Sequence, residues 1–276
     1  MDDTRSSGRD RAISVARPSS SVILLRRATV GFEIFMVRRA TQAASFADVY
    51  VFPGGVVRHD DYENQSAGSG FTADQALKEL TVRGSTPPDS AALALALWHA
   101  ALRELFEEAG VLLARDASGA MLRMSASAAA RYVELRQALQ AGRVTMRQIL
   151  ADERLTLDYR ALRYFSHWIT PTYVPRRFDT RFFVAEMPEG QTALHCQIES
   201  TDGVWIRPDE ALSRSTRGQF GIVFPTRVHL ERLSQFASLG ELLTYAARKP
   251  IRTVTPTRAG PSDRDPIILP PEASEW

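Results

Sequence analysis

The chain has few residues of the kinds that make covalent or metal cross-links. One cysteine, Cys196, occurs among 276 residues, which excludes an intrachain disulfide and a cysteine-based zinc cluster. A single thiol also fits a reducing compartment. The five histidines show no H-x-x-H or H-x-x-x-H spacing, so a histidine metal site is not expected either.

An excess of one charge and long apolar runs are lacking as well. The chain has 34 Lys+Arg and 32 Asp+Glu, a formal net charge of +2, whereas a dedicated nucleic-acid binder carries a larger, clustered basic excess. No apolar run approaches the roughly eighteen residues needed to cross a bilayer, and the first residues contain no apolar signal-peptide core. We therefore expect a cytoplasmic protein with no nucleic-acid and no membrane partner.

Composition separates the two ends from the middle of the chain. Residues 1–19 are polar and rich in Ser and Arg, which predicts a disordered lead. Residues 250–276 contain six prolines, which fix φ and remove backbone donors, so this tail should be extended. The main domain is therefore expected to cover residues 20–249.

Strand and helix patterns interleave within that domain. Short β-branched and aromatic runs predict strands, the first two as a hairpin, at Ser21–Arg26, Phe32–Arg38, Val49–Phe52, Thr180–Ala185 and Val204–Ile206. Helix-forming runs predict helices at Ala73–Val82, Ser90–Ala109, within 126–161, and at Ser234–Arg248. This alternation indicates a single α/β domain with helical insertions.

The segment RELFEEAGV, Arg103 to Val111, carries the chemistry. Residues i, i+3 and i+4 share a helix face, so Glu104, Glu107 and Glu108 should project together. Such a cluster is explained by a solvated acidic face, which is common, or by a bound hard cation such as Mg²⁺. The opposite, apolar face and the preceding Phe-Pro-Gly-Gly, which ends at Gly55, favour the cation.

These residues resemble the Nudix box, which pairs Phe-Pro-Gly-Gly with R-E-apolar-x-E-E-x-G-apolar. The resemblance implies an α/β/α sandwich with a mixed sheet. In the usual box fourteen positions separate the second glycine from the arginine, but Gly55 and Arg103 are 48 apart. About 34 residues are therefore inserted, which we place within 56–90. The box glutamate expected eight residues before the arginine falls on Leu95.

The long insert makes the order of motifs similar to the Nudix motif 19 subfamily, whose members include a coenzyme A diphosphatase. The resemblance runs from about residue 21 to 245 and includes WITPT from Trp168 and RFDTRFF from Arg177. A second, helical insert would occupy 126–161. Many Nudix proteins are dimers, so a homodimer is an open expectation.

The resemblance also implies residue roles. Glu107 and Glu108 should hold Mg²⁺ or Mn²⁺, with the Gly54 carbonyl as a further ligand. Glu104 should be a ligand or orient the attacking water, and Arg103 should pair with it. Glu199, six residues before Trp205, is an alternative general base; it is equally an exposed strand-end charge.

Arginines outside the box are candidates for the substrate phosphates. Arg176 and Arg177 have guanidinium groups suited to bidentate phosphate contacts, and Arg38 lies at a strand end. The alternatives are structural: Arg177 or Arg181 pairing with Asp179, which we favour for Arg181, and solvation for Arg38.

Three functions fit the motif. The first is a metal-dependent pyrophosphohydrolase acting on a small nucleotide substrate, coenzyme A or acyl-CoA. The second keeps the reaction but acts on ADP-ribose, NADH or another dinucleotide. The third is a non-hydrolytic nucleotide-binding module, suggested by Leu95 in the glutamate position.

Overall fold

The computed structural model describes residues 14–40, 48–63, 70–196, 200–262, 264–273 and 276. The strands are β1 (Arg17–Arg27), β2 (Phe32–Arg39), β3 (Tyr50–Val51), β4 (Gly54–Val56), β5 (Ala114–Arg115), β6 (Thr156–Leu157), β7 (Arg163–Ile169), β8 (Phe178–Glu186), β9 (Ser200–Ile206), β10 (Thr253–Val254), β11 (Thr257–Arg258) and β12 (Ile267–Ile268). The α-helices are α1 (His59–Glu63), α2 (Ala73–Thr81), α3 (Ala91–Ala109), α4 (Ala126–Gln140), α5 (Met146–Asp152), α6 (Pro208–Thr216), α7 (Phe224–Leu233) and α8 (Leu239–Arg248).

The main sheet of the described residues has eight strands in the order β10-β7-β8-β1-β2-β3, with β4 paired to β1 and β9 to β2. The central strand β1 runs antiparallel to β2, with Leu25 opposite Ile34, and parallel to β8, with Val22 opposite Phe183. The sheet is therefore mixed, as expected. Strand β4 lies antiparallel to the first half of β1 and places its glycines beside the centre of the sheet.

Two apolar layers cover the faces of this sheet. Along β1, Val22 and Leu24 belong to one buried cluster with α2 to α5, whereas Ile23 and Leu25 belong to another with α6, α7 and α8. The alternation follows from the two-residue period of a strand. Each buried aliphatic side chain contributes about 1.5–3 kcal/mol of transfer free energy. The result is the expected sandwich of helices, sheet and helices.

Helix α3 carries the acidic segment, and its ends are encoded locally. The Ser90 hydroxyl accepts a hydrogen bond from the Leu93 amide at 3.1 Å, and Gly110 ends the helix with a φ of 69°. A left-handed C-cap of this kind favours glycine. Every residue from Ala94 to Ala109 is buried, because the helix lies between the sheet and helices α2 and α4.

Several elements differ from the sequence-based prediction. Strand β7 was not predicted because it is buried on both faces and lacks alternation. The helix predicted from Ser234 begins at Leu239, where the Ser238 hydroxyl caps it, and is preceded by a separate helix, α7. The segment 126–161 contains α4 and α5 and then leaves the helix at Arg154, whose φ is 54°, to form β6.

The sheet extends past both proposed domain boundaries. Strand β1 begins at Arg17, inside the region expected to be a disordered lead, because Arg17 to Ser19 pair with β8. Strand β10 of the tail pairs with β7, and Trp276 is buried in the second apolar cluster. Residues 1–13 lie outside the described residues. Within the described part of the chain, none of the helices combines the length and apolarity required to span a bilayer.

Candidate functional site

The site forms where strand β4 crosses the acidic end of α3. The backbone amide of Gly54 donates a hydrogen bond of 2.9 Å to the Glu108 carboxylate. A Cβ at Gly55 would lie 2.4 Å from Glu104 Oε1, closer than any van der Waals contact allows. A side chain at this position would displace Glu104. The second glycine therefore lets the strand approach the carboxylates directly.

The three glutamates are buried rather than solvated. Side-chain exposure is 5% for Glu104 and 3% for Glu107, and Glu108 is also buried. The alternative of a solvated acidic face is therefore wrong, because β4 and α4 cover this side of the helix. Buried carboxylates need compensating partners.

Arg103 supplies much of that compensation. Its Nη1 donates to Glu104 Oε1 at 2.5 Å and to Glu107 Oε1 at 3.2 Å, and its Nη2 donates to the Val56 carbonyl at 3.0 Å. The expected contact between Arg103 and Glu104 is present. Because the guanidinium touches β4 and both glutamates, it fixes the strand and the carboxylates relative to one another.

Asp61, which the sequence analysis did not single out, completes this network. Its carboxylate accepts two hydrogen bonds from Arg103, at 2.8 Å from Nε and 2.9 Å from Nη2. Leu95, where the box acid was expected, lies in the apolar core. The usual box places its acidic residue six positions after the second glycine. Counted forward from Gly55, that position is Asp61. We therefore propose that the insert begins after Asp61.

Arg58 is a second cation at the carboxylates and was also missed. Its Nη1 and Nη2 donate to the two carboxylate oxygens of Glu107 at 2.9 and 3.0 Å. Its Nη2 is 3.8 Å from Glu104 Oε1. Unlike Arg103, Arg58 has a half-exposed side chain. It approaches the cluster from the solvent side.

Burial changes the acid–base properties of the cluster. It raises the pKa of Glu104 to about 7, although Arg103 acts in the opposite direction. It lowers the pKa of His99, one turn before Arg103, to about 4. His99 Nδ1 lies 3.0 Å from the Tyr159 hydroxyl. The His99 imidazole is therefore neutral at pH 7.

Helix α4 contacts the C-terminal end of the acidic helix α3. Arg136 Nε and Gln140 Nε2 donate to the backbone carbonyl of Glu107 at 2.8 and 2.5 Å. That carbonyl belongs to the last turn of α3, where carbonyl groups have no amide of the same helix to bond. Helix α4 thus stabilises the turn that carries Glu107 and Glu108.

The arginines proposed for the substrate phosphates have other contacts. Arg38 forms an ion pair of 2.8 Å with Asp48. Arg177 donates to the carbonyls of Thr170 and Ser14, at 2.9 and 2.7 Å. Arg176 is exposed in the turn between β7 and β8. In the described part of the chain, these contacts tie Arg38 and Arg177 to Asp48, Thr170 and Ser14 rather than to the glutamates of α3. Glu199 lies outside the described residues.

Arg181 has the structural role that the sequence analysis favoured. It pairs with Asp179 and donates to the Thr86 carbonyl at 3.0 Å. His167 Nε2 lies 2.5 Å from the same carboxylate. Together His167 and Arg181 hold the pKa of Asp179 below its usual range, against the effect of desolvation. This network links β7 to β8.

The donor set suits a hard divalent cation, since Glu104, Glu107 and Glu108 offer carboxylate oxygens on one helix face. Among the described residues, however, no three acidic, histidine or cysteine side chains converge as a ready-made cation site. The carboxylates are instead drawn towards Arg58, Arg103 and the Gly54 amide. A cation would need to replace part of these contacts.

The chain is similar to several known proteins. The family model of the NUDT19 Nudix domain matches residues 10–233. Curated relatives named acyl-coenzyme A diphosphatase NUDT19, from Xenopus laevis and Gallus gallus, are 24% and 26% identical to the chain. These alignments cover 80% and 78% of this chain and 64% and 65% of the relatives, so the chain spans less than two thirds of their length.

A solved structure shares the fold. The crystal structure of a Nudix hydrolase from Alicyclobacillus acidocaldarius superposes with a TM-score of 0.64 at 23% identity. The superposition covers 86% of this chain and 98% of that one. The mixed sheet between helical layers is therefore a known architecture.

Proposed function

Because the chain belongs to the NUDT19 Nudix family, we propose that it is a divalent-cation-dependent diphosphatase that hydrolyses coenzyme A or an acyl-CoA. One observation carries the chemistry: a buried row of glutamates on α3 faces the two glycines of β4 and is braced by the Asp61–Arg103 pair. Nudix hydrolases generally use divalent metal ions. We propose Mg²⁺ or Mn²⁺ here, since both accept carboxylate oxygens.

In this proposal, Glu107 and Glu108 hold the cation, with Glu104 and the Gly54 carbonyl as further ligands. The bound cation would lower the pKa of a water molecule and neutralise charge on the phosphoryl oxygens. Arg103 orients Glu104 through its 2.5 Å contact, and Asp61 fixes Arg103. Either Glu104 or Glu199 accepts the proton of the attacking water.

The reaction adds water across the diphosphate. The water oxygen bonds to one phosphorus, the bridging P–O bond breaks, and the bridging oxygen leaves with the other phosphate. With coenzyme A the products are 4′-phosphopantetheine and 3′,5′-ADP. The names of the Xenopus and chicken relatives support this substrate class, and ADP-ribose and NADH are the competing substrates because they share the diphosphate.

The non-hydrolytic alternative loses its motivation. It was suggested by Leu95, but Asp61 takes the place of the missing acid at Arg103. A binding module would have no need for three buried glutamates, each of which costs desolvation free energy. We therefore favour a working hydrolase.

The test is a substrate panel with Mg²⁺ or Mn²⁺. We expect kcat/KM for coenzyme A or acetyl-CoA to exceed that for ADP-ribose and NADH, with the two products above identified by chromatography. Faster cleavage of ADP-ribose or NADH would keep the reaction and reject the substrate. Nucleotide binding that survives EDTA, without turnover under either metal, would instead indicate a binding module.

A further inference from the structure

Arg58 occupies both carboxylate oxygens of Glu107. Its two terminal nitrogens form parallel hydrogen bonds of 2.9 and 3.0 Å with those oxygens, the bidentate geometry that gives the strongest arginine–carboxylate pairs. The backbone of Arg58 is itself fixed, because its amide donates a hydrogen bond of 2.8 Å to Asp61 Oδ2. Contact with Glu107 thus comes from an ordered turn directly after β4.

Arg103 and Arg58 differ in how easily their guanidinium groups can move away from the glutamates. The Arg103 side chain is 3% exposed and is anchored to Asp61 and the Val56 carbonyl. The Arg58 side chain is 42% exposed, so its guanidinium is already partly hydrated and can turn fully into water. Arg103 is therefore a fixed part of the site, and Arg58 is a removable one.

We propose that Arg58 and the divalent cation exclude one another at Glu107. Arg58 neutralises Glu107 in the cation-free chain, and the arriving cation displaces it into solvent. This rests on the proposed function, since it takes Glu107 to be a cation ligand.

The test is a Mn²⁺ titration of the full chain, with free Mn²⁺ measured by electron paramagnetic resonance. Arg58→Gln should bind Mn²⁺ about three- to tenfold more tightly, because a competing positive charge about one ion-pair distance away is removed. Arg58→Lys keeps the charge but not the two parallel bonds, so its affinity should lie between. Arg123→Gln, which removes an exposed arginine paired with Glu189, is the matched control and should leave the affinity unchanged.

Equal or weaker Mn²⁺ binding by Arg58→Gln would overturn the exclusion while leaving the proposed function intact. Absence of Mn²⁺ binding by the unchanged chain would overturn the cation role of Glu107 and the exclusion with it. Arg58→Lys, which retains the charge at the turn, provides the comparison if Arg58→Gln does not fold. An affinity for Arg58→Lys equal to that of the unchanged chain would then contradict the proposal.

Discussion

The carboxylate of Asp61 accepts two hydrogen bonds, of 2.8 and 2.9 Å, from the guanidinium of Arg103. The two residues are 42 positions apart in the chain. Both side chains are buried. The pair joins the short helix α1 to the acidic end of α3 and directs the remaining Arg103 nitrogen to Glu104 and Glu107. The arrangement of the site therefore depends on a contact between two distant segments of the chain.

Removing this charge should destabilise the fold and the site together. Asp61→Asn leaves the buried Arg103 without its main counterion, and breaking such a pair costs roughly 3–5 kcal/mol. We expect the free energy of unfolding in urea to fall by about that amount. Asp89→Asn is the control, because Asp89 is an exposed aspartate just before α3. An equal loss in both variants would contradict a specific role for the pair.

Gly55→Ala should reduce activity more than stability. The new Cβ would lie 2.4 Å from Glu104 Oε1, so the carboxylate must move away from its place beside Arg103. A misplacement of about 1 Å costs roughly 100-fold in rate, and we expect kcat to fall by about that factor. Gly240→Ala is the control, because nothing lies within 4 Å of its new Cβ. Unchanged kcat in Gly55→Ala would show that the close approach has no catalytic role.

Acid should destabilise the fold through buried histidines. Burial lowers the pKa of His99 to about 4 and that of His229 to about 3, and it also lowers that of His167. In the unfolded chain these groups take up protons near pH 6.5, so the unfolded state gains protons first as the pH falls. Stability should therefore decrease below pH 6.5, by about 2 kcal/mol at pH 5 for each of His99 and His229.

Thermal melts from pH 8 to pH 5 test this. The raised pKa of Glu104 acts in the opposite direction between pH 7 and 4.5, but it is one group against three. His59→Gln should leave the pH profile unchanged, since the His59 side chain is 85% exposed. A melting temperature that is constant or rises between pH 7 and pH 5 would refute the prediction.

Arg136 and Gln140 both donate to the Glu107 carbonyl, so each should partly compensate for loss of the other. Gln140→Leu removes one hydrogen bond to the Glu107 carbonyl and leaves that of Arg136, so it should cost about 1 kcal/mol. Adding Arg136→Met removes the second donor and should cost more than the sum of the single changes. Gln137→Leu, on the exposed side of the same helix, is the control. Simple additivity in urea unfolding would argue against shared capping of α3.

Sequence periodicity was enough to predict the acidic face. The i, i+3, i+4 spacing of Glu104, Glu107 and Glu108 predicts that they share one face of a helix. Ser90 and Gly110 mark the ends of that helix. The two glycines of β4 were also recognisable, because their motif is contiguous. These features depend on local geometry, which a sequence displays directly.

The partners of that face were not predictable in the same way. Counting eight residues back from Arg103 stays within α3 and reaches Leu95, whereas counting six residues forward from Gly55 reaches Asp61. Arg58 was visible only as an arginine in a turn. Arg136 and Gln140 reach α3 from α4, and no spacing rule connects the two helices. Contacts between segments far apart in the chain depend on packing that the sequence does not display.

The most direct test of the account compares coenzyme A hydrolysis by the unchanged chain and by Glu107→Gln, with Mg²⁺ and with excess EDTA. Glu189→Gln, an exposed carboxylate far along the chain, is the matched control. We predict cation-dependent release of 3′,5′-ADP by the unchanged chain and the control, with at least about a 100-fold loss in Glu107→Gln. Hydrolysis that persists in EDTA, or that survives in Glu107→Gln at the unchanged rate, would contradict a cation-dependent site on α3.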